Sequence, residues 1–232
     1  MSVSQLKVLY EDNHFIAVHK PAGWLAQGDK TNNTPLAEYV KQYIKVKYKK
    51  PGDVFLGVVH RLDRPVSGVT IFARTSKGLT RLNELFRERG VKKTYYAIVS
   101  NRPSPLSGHL EHFLLKDTER NVTHAYNRQR TKQAKKAVLD YELISSIANH
   151  HLVKVQPLTG RPHQIRVQLG RLGCPIRGDL KYGSNEKNRD GRIHLHSYRL
   201  EFIHPVTKKP TVITGLPPKE QLWNTFKDFI TY

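Results

Sequence analysis

The chain has 232 residues but only one cysteine, one methionine and two tryptophans. A single thiol, Cys174, rules out a disulfide within the chain and any zinc site built from several cysteines. Acidic residues are scarce. There are 19 Asp and Glu against 39 Lys and Arg, a formal charge of +20. Such an excess disfavours a cationic partner and points to nucleic acid or an anionic surface. Long apolar runs are missing too, and nothing approaches the roughly 20 residues that span a bilayer as a helix. Met1-Ser2-Val3-Ser4-Gln5-Leu6-Lys7 lacks the apolar centre of a secretory leader. No repeat or low-complexity tract appears. Hydrophobic residues still make up 38%, enough for a core, so disorder throughout is excluded. The expectation is a cytoplasmic protein that faces nucleic acid, with no membrane association.

Periodicity gives a coarse element order. Lys7–Tyr10 and Phe15–His19 read as short strands around an Asp12-Asn13 turn. Thr34-Pro35 reads as an N-cap and first helical position, with Leu36, Val40, Tyr43 and Ile44 at helical spacing. Residues 54–59 and 69–73 read as buried strands. Ser76 opens a second helix with an apolar stripe of Leu79, Leu82, Leu85 and Phe86, and Gly90 reads as its C-cap. Residues 94–99, 137–144, 151–156 and 198–203 read as strands, and 116–136 as a polar, basic hairpin or loop on the side that faces RNA. Pro162 opens a third helix that Gly173 ends. Leu222, Phe226 and Phe229 give a short C-terminal one. Strands outnumber helices and often follow one another directly. The expected class is α+β: a mixed, largely antiparallel sheet with flanking helices, as one domain over 1–232.

The most telling stretch is His60-Arg61-Leu62-Asp63-Arg64-Pro65-Val66-Ser67-Gly68-Val69. A carboxylate between two guanidiniums is favoured in its ionised form. In a chain this basic, an ionised Asp facing an anionic partner needs a chemical reason, and a nucleophile presented to RNA supplies one. By itself Asp63 also reads as a salt-bridge or turn residue. Three further islands stand in order with it: Lys20-Pro21-Ala22-Gly23, Lys93-Thr94-Tyr95, and Leu158-Thr159-Gly160-Arg161-Pro162-His163-Gln164-Ile165-Arg166-Val167. A fifth is Gly178-Asp179, Tyr182-Gly183 and Leu195-His196-Ser197-Tyr198-Arg199-Leu200.

Together the islands resemble the RluA-type pseudouridine synthases, from about position 8 to about 216. The resemblance implies isomerisation of uridine to pseudouridine in structured ribosomal or transfer RNA, with no cofactor and no metal. It implies a catalytic cleft across the sheet. It places the family's catalytic aspartate on Asp63, its base-stacking tyrosine on Tyr95, and the arginine that pairs with the aspartate on Arg166. The residue that enters the stack when the base flips falls on Arg61. Arg64, Lys93, Arg161 and His163 are further expected RNA contacts. Many relatives carry an S4-like domain ahead of the catalytic one, and too few residues precede the first strand for it here. Pro65-Val66 and Tyr96 depart from the common pattern.

The chemistry fits these residue types. Uracil must leave C1′, rotate and rejoin through C5. A carboxylate can add to C1′, add to the base, or take a proton from C2′, and the sequence leaves the three routes open. Burial opposes the charged form of Asp63, whereas an arginine partner favours it. Extruding the base costs a few kcal/mol, and stacking on Tyr95 returns roughly 1–3 kcal/mol.

Blander readings stand beside these. Tyr95 alone reads as a core aromatic, Arg166 as a helix brace, and Lys20-Pro21-Ala22-Gly23 as an ordinary turn. His60 and His163 are expected to brace the site. His109 with His112, and His194 with His196, lack the acidic or cysteine partners of a metal set. A basic RNA-binding module without catalysis is the alternative from another class, and a base-excising glycosylase a third reading. A monomer is expected, since no long exposed apolar stripe is evident.

Overall fold

The computed structural model describes residues 6–28, 34–188 and 190–230. Met1–Gln5, part of the segment read for a leader, lie outside the described residues. The chain divides into two compact units, Met1–Val91 with Ser197–Leu216, and Lys92–His196 with Pro217–Tyr232.

In the first unit, β1 (Val8–Glu11) and β2 (Phe15–Lys20) form the expected hairpin. Asp12 Oδ1 holds its turn by accepting from the backbone N–H of His14 and of Phe15 (both 2.7 Å). β2 pairs antiparallel with β4 (Ser67–Ala73), and β3 (Gly57–Val58) borders β4. The alternation of a strand explains the layering. Phe15, Ala17, Val69 and Ile71 face one way, onto Leu82 of α2 (Ser76–Arg87). Ile16, Val18 and Phe72 face the other way, onto Leu36, Val40 and Ile44 of α1 (Leu36–Lys47). Both faces are covered, so β2 and β4 contain mostly apolar runs, residues 15–18 and 69–73, the latter interrupted only by Thr70.

In the second unit, β5 (Lys92–Val99), β9 (His150–Pro157), β8 (Lys135–Ile147), β6 (Ser107–Asp117) and β7 (Val122–Tyr126) lie side by side in that order. The four pairings are antiparallel. α3 (Gln164–Arg171) packs Val167 against Leu114 and Ala137. β10 (Leu195–Ile203), which from Ser197 on belongs to the first unit, pairs antiparallel with β11 (Pro210–Thr214) of that unit. α4 (Gln221–Thr225) lies near the C-terminus. The α+β class, a mixed, largely antiparallel sheet with helices packed on it, is as expected.

Several local expectations shift. The segment 54–59 forms only a two-residue strand, because β3 is an edge that pairs with β4 alone, and Phe55 there is exposed. α1 starts one residue later than read: Pro35 is its N-cap and makes no side-chain cap bond. α2 is capped by Thr75, whose side chain accepts from Gly78 N (3.0 Å). That helix ends before Gly90: Glu88 is its C-cap and Arg89 takes the left-handed conformation. The C-terminal stripe that turns inward is Trp223, Phe226 and Ile230, and Phe229 is exposed. No helix among the described residues is long and apolar enough to cross a membrane.

Gly68 ties the first unit together. Its φ is +125°, and a Cβ there would lie 2.6 Å from the backbone N and 2.7 Å from the backbone C of Ser197. The carbonyl oxygen of Ser197 lies nearer still, and all three obstacles are backbone and cannot swing aside. Gly68→Ala should therefore lower unfolding free energy by roughly 2–4 kcal/mol, from steric overlap plus the backbone penalty. Urea unfolding checks this, and a change under about 0.5 kcal/mol would show that the contact yields.

Candidate active site

The loop that carries Asp63 joins β3 to β4. Leu62 and Val66 are buried and anchor it, while Arg61 and Arg64 are exposed and Asp63 is half-buried between them. Apolar residues at 62 and 66 thus fix which side chains face outward. Val66 N donates to Asp63 O (3.0 Å) and closes the turn. His60 stacks on Phe86, with ring centroids 5.1 Å apart, and its Nε2 accepts from Ile71 N (3.1 Å). That nitrogen acts as an acceptor, which matches the bracing role expected of His60.

The Lys20-Pro21-Ala22-Gly23 turn is stitched to the same loop. Gly23 N donates to Arg64 O (2.7 Å), and Arg64 Nε donates back to Gly23 O (3.0 Å). Gly23 has φ +86°, the left-handed conformation that glycine accepts readily. The Lys20 side chain is fully buried. Its Nζ donates to Trp24 O (2.7 Å), Pro21 O (3.0 Å) and Arg64 O (3.2 Å). Three acceptors match the three donors of an ammonium. From the sequence the island reads as a structural turn near the site, and nothing in it marks a buried cation, because lysine is among the residues least often buried.

Burial pushes the Lys20 pKa down from 10.5 to about 7, with the Asp63 charge opposing the shift and the Arg64 charge adding to it. Between these two values the unfolded chain holds a proton that the folded chain has released. Stability must therefore rise with pH across that window, by at most about 1.4 kcal/mol per pH unit from this group. Below about pH 7 both states are protonated and the contribution is flat. Lys20→Met should remove this component, seen as a shallower rise in unfolding free energy from pH 7 to 9. An unchanged slope would assign the pH dependence to other groups.

The second unit holds the remaining expected residues. Tyr95 and Tyr96 are buried in β5, with Lys93 half-buried ahead of them. Arg161, His163 and Arg166 share the head of α3. Gln164 organises that head: its Oε1 accepts from Thr159 Oγ1 (2.8 Å) and from Arg161 N (3.0 Å), while its Nε2 donates to Val138 O (2.9 Å). His163 takes the left-handed conformation (φ 53°) as N-cap, with Nδ1 2.7 Å from the Tyr182 hydroxyl. Arg161 is exposed, and its Nε donates to Lys136 O (3.0 Å).

Arg166 is buried and forms a two-pronged pair with Asp179: Nε to Oδ2 at 2.7 Å and Nη2 to Oδ1 at 2.8 Å. This is the planar paired contact that arginine favours. The guanidinium carbon also lies 5.1 Å from the Tyr182 ring centroid. The motifs Gly178-Asp179 and Tyr182-Gly183 carry no assigned role in the sequence. Asp179 and Tyr182 are contacts that the sequence alone does not assign, and their place in the fifth island is the available signal. Among the described residues no three His, Cys, Asp or Glu cluster as a metal site. His109 instead pairs with Asp140 (2.7 Å) and His194 with Glu220 (2.6 Å).

A family model described as RNA pseudouridylate synthase matches residues 14–170. The tRNA pseudouridine synthase C of Haemophilus influenzae is 32% identical, over 95% of this chain and 98% of that protein. The ribosomal large subunit pseudouridine synthase C of Buchnera aphidicola subsp. Schizaphis graminum is 35% identical, over 87% of this chain and 64% of that protein. Among solved structures, Human RNA Pseudouridylate Synthase Domain Containing 4 matches with a TM-score of 0.76 and 26% identity, covering 92% of this chain and 89% of that one. The ordered motifs, the fold and these similarities lead to one assignment: the chain belongs to the RNA pseudouridylate synthase family, of the RluA type.

Proposed function

We propose that residues 1–232 act as one catalytic domain that isomerises uridine to pseudouridine in structured transfer or ribosomal RNA, with Asp63, Tyr95 and Arg166 serving the same reaction. The observation that carries this reading is the stitched Asp63 loop. Two glycine-turn bonds and a fully buried lysine hold a half-buried carboxylate between two exposed arginines. A binding module has no need to fix a carboxylate so firmly beside RNA. The relatives named for transfer RNA and for ribosomal RNA support either substrate.

In this reading the glycosidic N1–C1′ bond breaks, the uracil turns, and C5–C1′ forms. The C5 proton then leaves to solvent and N1 ends protonated, so atoms and charge balance without a redox partner. Asp63 stabilises the separated sugar and base by adding to C1′ or to the base, or by taking the C2′ proton. Tyr95 stacks on the extruded uracil and Arg61 fills the gap in the stack. Arg64, Lys93, Arg161 and His163 line the RNA path. The test is release of tritium from RNA labelled at uridine C5. Release coupled to pseudouridine in a nucleoside digest is expected. Free uracil instead would assign a glycosylase, and RNA binding with no release from transfer or ribosomal RNA pools would assign a binding module.

A further inference from the structure

A cavity of about 860 Å³ opens in the second unit between β7, the loop after it, the end of α3 and the turn at Leu180–Tyr182. Its volume falls in the range of about 300–1,000 Å³ typical of ligand sites. Arg128, Arg130, Arg171 and Lys181 line it, and all four are exposed. No Asp or Glu is among the lining residues. The contacts of these cations are to neutral groups. Arg171 Nη2 donates to Asn127 Oδ1 (3.0 Å), Lys181 Nζ donates to Asn121 O (2.8 Å), and the Arg130 guanidinium lies 4.5 Å from the Tyr126 ring centroid. A cation at a helix C-terminus such as Arg171 has a structural reason to be there. The other three do not share it. Four positive charges that converge on one concavity without a carboxylate repel one another, and an anionic occupant relieves that.

Tyr182 forms part of the wall. Its hydroxyl accepts from Thr123 N (2.8 Å) and meets His163 Nδ1, and its ring lies against the Arg166 guanidinium. The cavity and Arg166 therefore share one side chain. Tyrosine faces beside phosphate-binding cations are the pairing that single-stranded nucleic acid uses.

We propose that this cavity is a second RNA-contact surface, which holds a stretch of the substrate strand outside the target uridine and sets apparent affinity for the whole RNA. The inference rests on the reading above and adds a site to it. Arg128→Gln with Arg130→Gln is the test, since both side chains are exposed and the change should fold normally. Filter binding across a salt series reads the surface directly. The slope of log K against log salt should become shallower by about 0.7–0.9 for each phosphate contact removed. Tritium release from the same RNA should show KM raised about tenfold or more, with the effect on KM and not on kcat. The charge-matched control Lys45→Gln with Lys50→Gln, on the exposed end of α1 and after it, should leave both readouts near wild type.

A wild-type slope in the Arg128, Arg130 variant would overturn the proposal, and so would equal losses in the control, which would indicate bulk charge. Uridine monophosphate that displaced RNA at millimolar concentration through these arginines would assign a mononucleotide pocket instead of a strand track. Failure of the catalytic reading looks different: wild type would release no tritium while the salt slopes still separated the variants.

Discussion

Asp63→Asn should leave RNA affinity within about twofold of wild type and lower single-turnover tritium release at least about a thousandfold. Asparagine keeps the shape of the side chain and its place in the turn closed by Val66 N. It removes the charge and the lone-pair reactivity, and an amide neither adds readily to C1′ or a pyrimidine nor takes a proton from C2′. All three routes open to Asp63 fail together, so the prediction does not depend on choosing among them. Loss of a catalytic nucleophile elsewhere costs up to about a millionfold, so a thousandfold is a cautious floor. RNA affinity rests mainly on phosphate neutralisation by lysine and arginine. The substitution makes a chain of formal charge +20 one unit more positive, which favours binding if it acts at all. Turnover within tenfold of wild type would sink the catalytic assignment of Asp63. Lost binding together with lost turnover would place the residue in the loop's structure instead.

What could be read from the residues, and what could not, follows the range of the forces involved. β4 was legible because burial on both faces leaves an apolar run, Val69 to Ala73, that needs only local inspection. The same signal misled at 54–59, where the residues are apolar but the strand is an edge, a fact set by what lies beside it. α3 is legible through the spacing of Ile165 and Leu169, but it starts at Gln164 and not at Pro162, and Gln164, its polar hub, looks like any surface glutamine. Lys20 shows the limit most clearly. Turn chemistry was evident in Lys20-Pro21-Ala22-Gly23, but three carbonyls from positions 21, 24 and 64 converge on its ammonium only after folding. Arg166 was singled out by resemblance. Its bond to Asp179 spans thirteen positions, from inside α3 across the irregular stretch that follows Arg171, where no periodic signal continues.

That bond shapes the second large effect. Arg166→Lys keeps the charge but should lower turnover about a hundredfold or more, with a stability loss of roughly 1–3 kcal/mol. A lysine ammonium is a point charge and cannot reproduce the parallel contacts from Nε and Nη2 to the two Asp179 oxygens. Asp179 is almost wholly buried, and a buried carboxylate that loses one of its bonds is destabilised. The lysine also withdraws the planar group from the Tyr182 face. Loss of a preorganised charged donor from a reacting centre typically costs about 10²–10³ in kcat. Bracing alone predicts a different pattern, and Asp179→Asn separates the two. If Arg166 only supports the fold, both variants should lose stability and activity in proportion. If Arg166 also acts on the reaction, Asp179→Asn should retain much more kcat than Arg166→Lys at equal stability loss, because the guanidinium is still present. Unfolding free energies and single-turnover rates measured on the same preparations give the comparison. Matched losses in the two variants would reduce Arg166 to a brace and leave Asp63 and Tyr95 to carry the chemistry.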